Sequence, residues 1–336
     1  MLAHLARGVN KHKKIDTGCA MCYKTWLSAI MFKTLLALAL VLGAVAGCSR
    51  QGHVSGGQQQ TYLLVGDSTR ATDVAWNPNG SRLAYSTGDQ VKYVTLPSTQ
   101  GVRVAETQAG ILTTPSWSAV DPGRIAYVRI DSGGGTATIL ENDTVGGGLD
   151  TIFSYSAGQL GVGFVNPESL CLDLVRPQFG SRIYISAVGN RPGVWAIDTT
   201  LGSISFLLEG RWPDVDPSET YLAYAARNGG IRVRNLDSLT TDSVSAAGLY
   251  PSWSPDGQQL TYCTDDTVYI WSRTTGEVRR FPMSENVSNL SWRKWPNVQG
   301  IAMRIQSDGT VWLLNTMIPG YMSGRHIRRT PLEQMQ

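Results

Sequence analysis

Six times along this 336-residue chain a similar short pattern returns: an aromatic or branched apolar residue, a turn rich in Pro, Asn, Asp or Gly, then an apolar strand that in most copies carries a Tyr. The clearest copy is "GLYPSWSPDGQQLTYC" at 248–263. The others are "VAWNPNGSRLAYST" from Val74, "PSWSAVDPGRIAYVR" from Pro115, "LVRPQFGSRIYISA" from Leu174, "PDVDPSETYLAYAA" from Pro213 and a worn "LSWRKWPNVQGIAMR" from Leu290. The anchors are Trp76, Trp117, Val175, Val215, Trp253 and Trp292, at spacings of 41, 58, 40, 38 and 39. A period near 40 with a turn after each first strand marks propeller blades, and the 3.6-residue rhythm of helical repeats is missing.

Each unit parses alike. The first strand ends at the anchor, turn residues follow, and a second strand runs through segments such as Leu83-Ala84-Tyr85, Leu222-Ala223-Tyr224 and Leu260-Thr261-Tyr262. Third strands are expected at Val91–Leu96, Thr136–Leu140, Val194–Ile197, Ile231–Leu236, Val268–Trp271 and Val311–Leu314, each leading to a more polar fourth. The expectation is an all-β fold, a six-bladed β-propeller of four-stranded antiparallel blades over residues 61–332, with 333–336 a tail. Composition agrees: 16% charged residues, 36 Gly and 15 Pro suit turn-rich β structure. "TYLLVGDS" (61–68) and "RHIRRTPL" (325–332) both read as fourth strands, and the sequence does not choose which closes the last blade. The 58-residue spacing holds surplus residues, including "SAGQLGVGFVNPES", which read equally as a long loop, an extra hairpin or a binding loop.

This W-S-P-D-G and L-x-Y pattern resembles the WD-repeat-like blades of TolB-family propellers, over most of the chain. The resemblance implies the fold. It does not extend to the family's N-terminal α/β domain, for which residues 49–60 leave no room, so the partner contacts of that domain are not carried over.

The N-terminus reads as an address. "MFKTLLALALVLGAVAGCSR" from Met31 has a Lys, an apolar run from Leu35 to Ala46, and small residues before a Cys. That run is short for a membrane span. Val45-Ala46-Gly47-Cys48 resembles the lipobox of bacterial lipoproteins, which implies a lipid on Cys48, removal of residues 1–47, and attachment to a membrane without crossing it. Ser49 after the lipidated Cys points to the periplasmic side of an outer membrane in a Gram-negative envelope; otherwise the place is the outer face of the plasma membrane. Residues 48–60, rich in Gly, Ser and Gln, read as a flexible linker. Cys19 and Cys22 lie upstream of the signal and read as discarded with it. Cys171 and Cys263 sit inside apolar strand patterns and read as free buried thiols.

Charge excludes one class of partner. Residues 1–47 hold six Lys/Arg against Asp16 alone, so of the 29 bases and 26 acids 23 and 25 remain, a net charge of −2 that gives no reason to expect nucleic acid. His53 and His326 are the only histidines after Cys48, so no nucleophile–His system is expected in the ring, and no phosphate loop or G-x-S-x-G elbow is present. No catalytic residues, cofactor or metal are therefore expected. Asp214, Asp216 and Glu219, and the pair Asp265-Asp266, read as solvated turn acids rather than a calcium site.

Binding is the better expectation. Segments entering the innermost strands should ring one mouth of the channel: Arg70–Asp73, Ile111–Thr114, Glu209–Asp214, Gly248–Tyr250 and Asn286–Asn289. From these the candidate binding residues are Arg70, Thr114, Arg211, Trp212 and Tyr250. The two arginines suit an anionic group, while the aromatics suit an interaction hot spot or packing between blades. The expected function is an envelope lipoprotein that binds or scaffolds proteins without catalysis. The alternative is a small-ligand or glycan binder, or a lyase-like enzyme, using the channel.

Overall fold

The computed structural model describes residues 60–65, 70–118, 121–145, 147–161, 170–171, 173–177, 181–188, 192–293, 300–316 and 328–330. They lie in the unit Gly56–Gln336; the leader and Cys48 belong to Met1–Ser55, outside the described residues.

The chain builds a six-bladed propeller, with no helix among the described residues. Strand β1 is Gln60–Val65. Blade one is β2 (Val74–Trp76), β3 (Arg82–Ser86), β4 (Gln90–Thr95) and β5 (Val102–Glu106). Blade two is β6 (Ile111–Trp117), β7 (Arg124–Ile130), β8 (Thr136–Asp143) and β9 (Leu149–Ser156). Blade three is β10 (Asp173–Val175), β11 (Arg182–Ala187), β12 (Gly193–Asp198) and β13 (Ser203–Leu208). Blade four is β14 (Arg211–Val215), β15 (Tyr221–Ala225), β16 (Ile231–Asn235) and β17 (Thr241–Ser245). Blade five is β18 (Leu249–Trp253), β19 (Gln259–Thr264), β20 (Thr267–Ser272) and β21 (Val278–Pro282). Blade six takes β22 (Val287–Arg293), β23 (Gly300–Ile305) and β24 (Val311–Asn315) from the C-terminal part.

Its fourth strand is β1, antiparallel to β24 with Thr61 opposite Leu314 and Val65 opposite Val311. The two fourth-strand candidates are thereby separated. β1 locks the ring, and β25 (Arg328–Thr330) lies outside it as a fifth, parallel strand.

Blades hold together through apolar packing. The buried apolar side chains of the described residues form six clusters, and each straddles one blade boundary. Second strands are sandwiched on both faces, so they read as unbroken apolar runs: Leu83, Ala84 and Tyr85 are fully buried. Fourth strands edge the ring, hence their polar character, as in the largely exposed β17. Trp76, Trp117, Trp253 and Trp292 are buried at the boundaries, and the Trp117 indole N–H reaches back to Ala75 O at 2.9 Å.

The residue after each of three anchors caps its turn. Gly257 N donates to Ser254 O at 2.8 Å while the Ser254 hydroxyl bonds Asp256, and Gly257 sits at φ 65°. Asn77 and Gly80 repeat this arrangement in blade one. In blade four Asp216 Oδ1 takes the N–H groups of Thr220 and Tyr221 at 2.9 and 2.7 Å, and Glu219 holds the left-handed position at φ 56°.

Antiparallel order gives the ring two distinct faces. The lower face carries the first-to-second and third-to-fourth hairpins. The upper face carries the second-to-third hairpins and the crossings to the next blade. β9 ends at the upper face, and beyond it Leu160 and Leu170 are buried in the boundary between blades two and three, with the Tyr155 hydroxyl donating to Leu170 O at 3.1 Å. Residues 162–169 lie outside the described residues.

Candidate functional site

The inner strands do not run straight down the channel. Thr114, Trp212, Tyr250 and Asn289, each three residues before its anchor, have φ of 49, 50, 52 and 49°. The ladder slips at the same place in all four blades. A non-glycine residue in this region is strained by itself. Four at equivalent positions are a built feature, a bulge that re-aims side chains into the mouth. Pro115, Pro213 and Pro251 follow three of them and supply no N–H for the interrupted ladder.

Three layers result. At the upper mouth Asp73, Thr114, Trp212, Tyr250 and Asn289 surround a neck of about 50 Å³. One residue further along come Val74, Pro115, Pro213, Pro251 and Leu290, an apolar waist into which Asp173 projects from blade three. Below it a cavity of about 280 Å³ is lined by Ser116, Asp214, Ser252 and Ser291, with Arg176 held at its rim by Glu141 of blade two.

Each carboxylate is anchored differently. Asp73 Oδ2 accepts from the Thr113 hydroxyl at 2.8 Å and Thr114 N at 3.2 Å, and Oδ1 accepts from the Asn289 amide, so one side chain joins blades one, two and six. Asp214 Oδ2 accepts Trp253 N at 2.6 Å and Oδ1 accepts Val215 N at 3.1 Å, joining blades four and five. Asp173 Oδ1 takes the N–H of Leu174 at 2.9 Å. All three touch the channel lumen but are surrounded by protein, and burial raises their pKa values. Asp214 is pushed up to about 7. Asp173 is raised well above the carboxylate range by burial, then by the charges of Asp73 and Asp214. Asp73 is raised by burial against its hydrogen bonds and the nearby Arg304.

Of the sequence candidates, the structure brings Thr114, Trp212 and Tyr250 together at the neck. The Trp212 and Tyr250 rings meet across blades four and five at 4.4 Å, so packing and lining are one role. Arg70 and Arg211 do not join them. Arg70 is exposed beside Gly309, and the Arg211 guanidinium lies over the Trp212 ring at 5.9 Å outside the lining. An anion site at the neck is thus replaced by an acidic one. Asp214 and Asp216 are corrected as well: the first lies within the inner strand β14 and lines the channel, and the second, just past the end of that strand, is a buried turn cap whose Oδ1 takes two backbone N–H groups. Asp265 and Asp266 are exposed turn residues as expected. No group of three or more His, Cys, Asp or Glu suited to a metal occurs among the described residues. Sequence reasoning did not single out Asp173, although its offset from Val175 matches that of the waist residues from their anchors. Cys171 and Cys263 are buried and unpaired, and burial pushes both thiols up to about 12. Cys48 lies outside the described residues.

On the upper face a second, open cavity of about 500 Å³ lies beside the crossing from blade three to blade four, lined by Glu209, Tyr224, Ala226, Arg227, Asn228 and Arg232.

No protein-family model matches the chain, and no curated protein matches it. Among solved structures, TolB from Acinetobacter baumannii aligns at 16% identity and a TM-score of 0.48 over 74% of this chain, which spans 64% of that one. The β-propeller domain of Cps50 (Swd1) from Myceliophteria thermophila aligns at 15% identity and a TM-score of 0.51, covering 75% of this chain and 85% of that one. The likeness is one of fold, and by fold the chain is a six-bladed β-propeller.

Proposed function

We propose that the protein is a lipoprotein held through Cys48 on a membrane of the bacterial cell envelope, and that its propeller is a non-enzymatic module that binds an envelope protein. The tether rests on the leader pattern ending in Val45-Ala46-Gly47-Cys48. The binding role rests on the open upper-face cavity. Arg227 and Arg232 are of a residue type enriched at interaction hot spots, and Arg227 is only loosely committed, 3.7 Å from Glu209 with both side chains more than half exposed. A partner supplying a carboxylate would compete with Glu209 for Arg227. The neck, at about 50 Å³, does not admit a peptide, so recognition belongs to the outer faces.

A photo-crosslinking residue at Asn228 in living cells tests this. The expected result is a discrete adduct lost on Arg227→Glu. Absence of any adduct from Asn228 and neighbouring upper-face positions contradicts it.

A second reading is favoured by the 280 Å³ cavity with its serines and Asp214: a small neutral or cationic solute bound from the lower side. It predicts a ligand-induced rise in melting temperature that Asp214→Asn removes, and no such rise in a screen of amines and polyols counts against it.

A further inference from the structure

Six large apolar side chains stand out into solvent among the described residues: Val102, Val145, Leu149, Leu201, Leu239 and Val278, from 42% to 84% exposed. All six lie in, or at the first residue after, a third-to-fourth-strand hairpin, so all six are on the lower face. Val102 is in blade one, Val145 and Leu149 in blade two, Leu201 in three, Leu239 in four and Val278 in five. Isolated exposed apolar residues need no account. Five successive blades placing theirs at one hairpin of one face is a pattern.

Turn geometry does not demand them. Asp198 Oδ1 takes the N–H groups of Thr200 and Leu201 at 3.0 and 2.9 Å, Asp143 Oδ1 takes Val145 N at 2.9 Å, and Asn235 Oδ1 takes those of Asp237 and Ser238. The polar residues hold these loops, and the apolar ones are surplus to that task.

The corresponding place in blade six is where β24 ends and β1 begins, so β1 starts at this same face. Eleven residues lie between Cys48 and Gln60, a reach of at most about 40 Å fully extended. Resting on the reading that Cys48 carries lipid, we propose that the lower face lies on the lipid bilayer, with the apolar rim in its interfacial layer and the upper-face cavity turned away from the membrane. Separate apolar feet around a ring suit a broad flat surface better than a groove on a protein. The six rim side chains are uncharged and residues 48–336 carry a net charge of −2 with no overall attraction to anionic lipid, so a contact made through the rim holds at high salt.

The test uses the full-length, lipidated protein in vesicles of phosphatidylethanolamine and phosphatidylglycerol. Single cysteines replace Leu201, Leu239 or Val278 on the lower rim, and Asn228 or Asp265 on the upper face, each bearing an environment-sensitive fluorophore. Cys171 and Cys263 are buried and stay unlabelled. Several-fold stronger quenching of the rim labels by spin-labelled lipid, at low and high salt, is expected. Leu201→Asp with Leu239→Asp should abolish it at position 278 with melting temperature and lipid mass unchanged. Equal quenching on both faces of a chain with lipid on Cys48 overturns this proposal and leaves the lipoprotein reading standing. A Cys48 without lipid overturns both. Rim shielding found in native membranes but not in pure vesicles assigns the face to a protein and overturns it too.

Discussion

Asp214 accepts two backbone N–H groups, an arrangement that ordinarily lowers a carboxylate pKa, yet burial in the channel outweighs them and lifts it to about 7. Asp73 and Asp173 shift in the same direction. A group raised on folding binds a proton in the folded chain that it has released in the unfolded one. Its stabilisation is complete below the ordinary carboxylate range and is lost as pH rises through the folded value. The melting temperature should therefore fall between about pH 4 and pH 7, and Asp214→Asn should flatten that slope. A profile that rises over this range, followed by scanning calorimetry, would contradict the assignment. Glycines make a second contrast. A Cβ on Gly110, at φ +91°, would stand 2.1 Å from Ile130 O, whereas one on Gly276, at φ +73°, meets nothing within 4 Å. Gly110→Ala should cost about 3 kcal/mol and Gly276→Ala about 1 kcal/mol in urea unfolding. Equal costs would mean that the close approach at Gly110 is not real. Local sequence does not separate the two glycines, because the carbonyl that does so belongs to a strand twenty residues from Gly110.

At the scale of elements the decisive one is β1. Its Leu64 and Val65 are buried in the cluster joining blades six and one, so the first strand of the propeller is structurally part of its last blade. Leu64→Ala should destabilise by about 2–4 kcal/mol through lost burial and the cavity left behind. Removing Arg328–Thr330, which adds only a parallel edge to β1, should leave cooperative unfolding and melting temperature nearly unchanged. Comparable losses from the two changes would show that β25 shares in closing the ring. The first three strands of each blade were legible because their residues are fixed by burial: Leu260, Tyr262 and Val268 recur in place where the core demands them. The closing strand was not. "TYLLVGDS" and "RHIRRTPL" carry similar alternation, and the choice between them is made by register against β24 rather than by local pattern.

For the whole molecule, the period near 40 implies six stacked units, and the six boundary clusters are the physical form of that period. The candidate site was legible only in outline. The segments entering the innermost strands contained Thr114, Trp212 and Tyr250, which the structure brings together at the neck. The acidic character of the channel was hidden because Asp73, Asp173 and Asp214 stand at three different offsets and come together only when the ring closes. The apolar lower rim was equally hidden, since Val145, Leu201 and Leu239 are single residues within polar turns. A tethered ring with one face toward lipid and the other toward a protein depends on what happens at Cys48. The most direct measurement is the intact mass of the chain extracted from membranes. A species beginning at Cys48 and carrying acyl chains, with residues 1–47 gone, is the predicted result; a chain that keeps its leader, or begins elsewhere with a free thiol on Cys48, would contradict it.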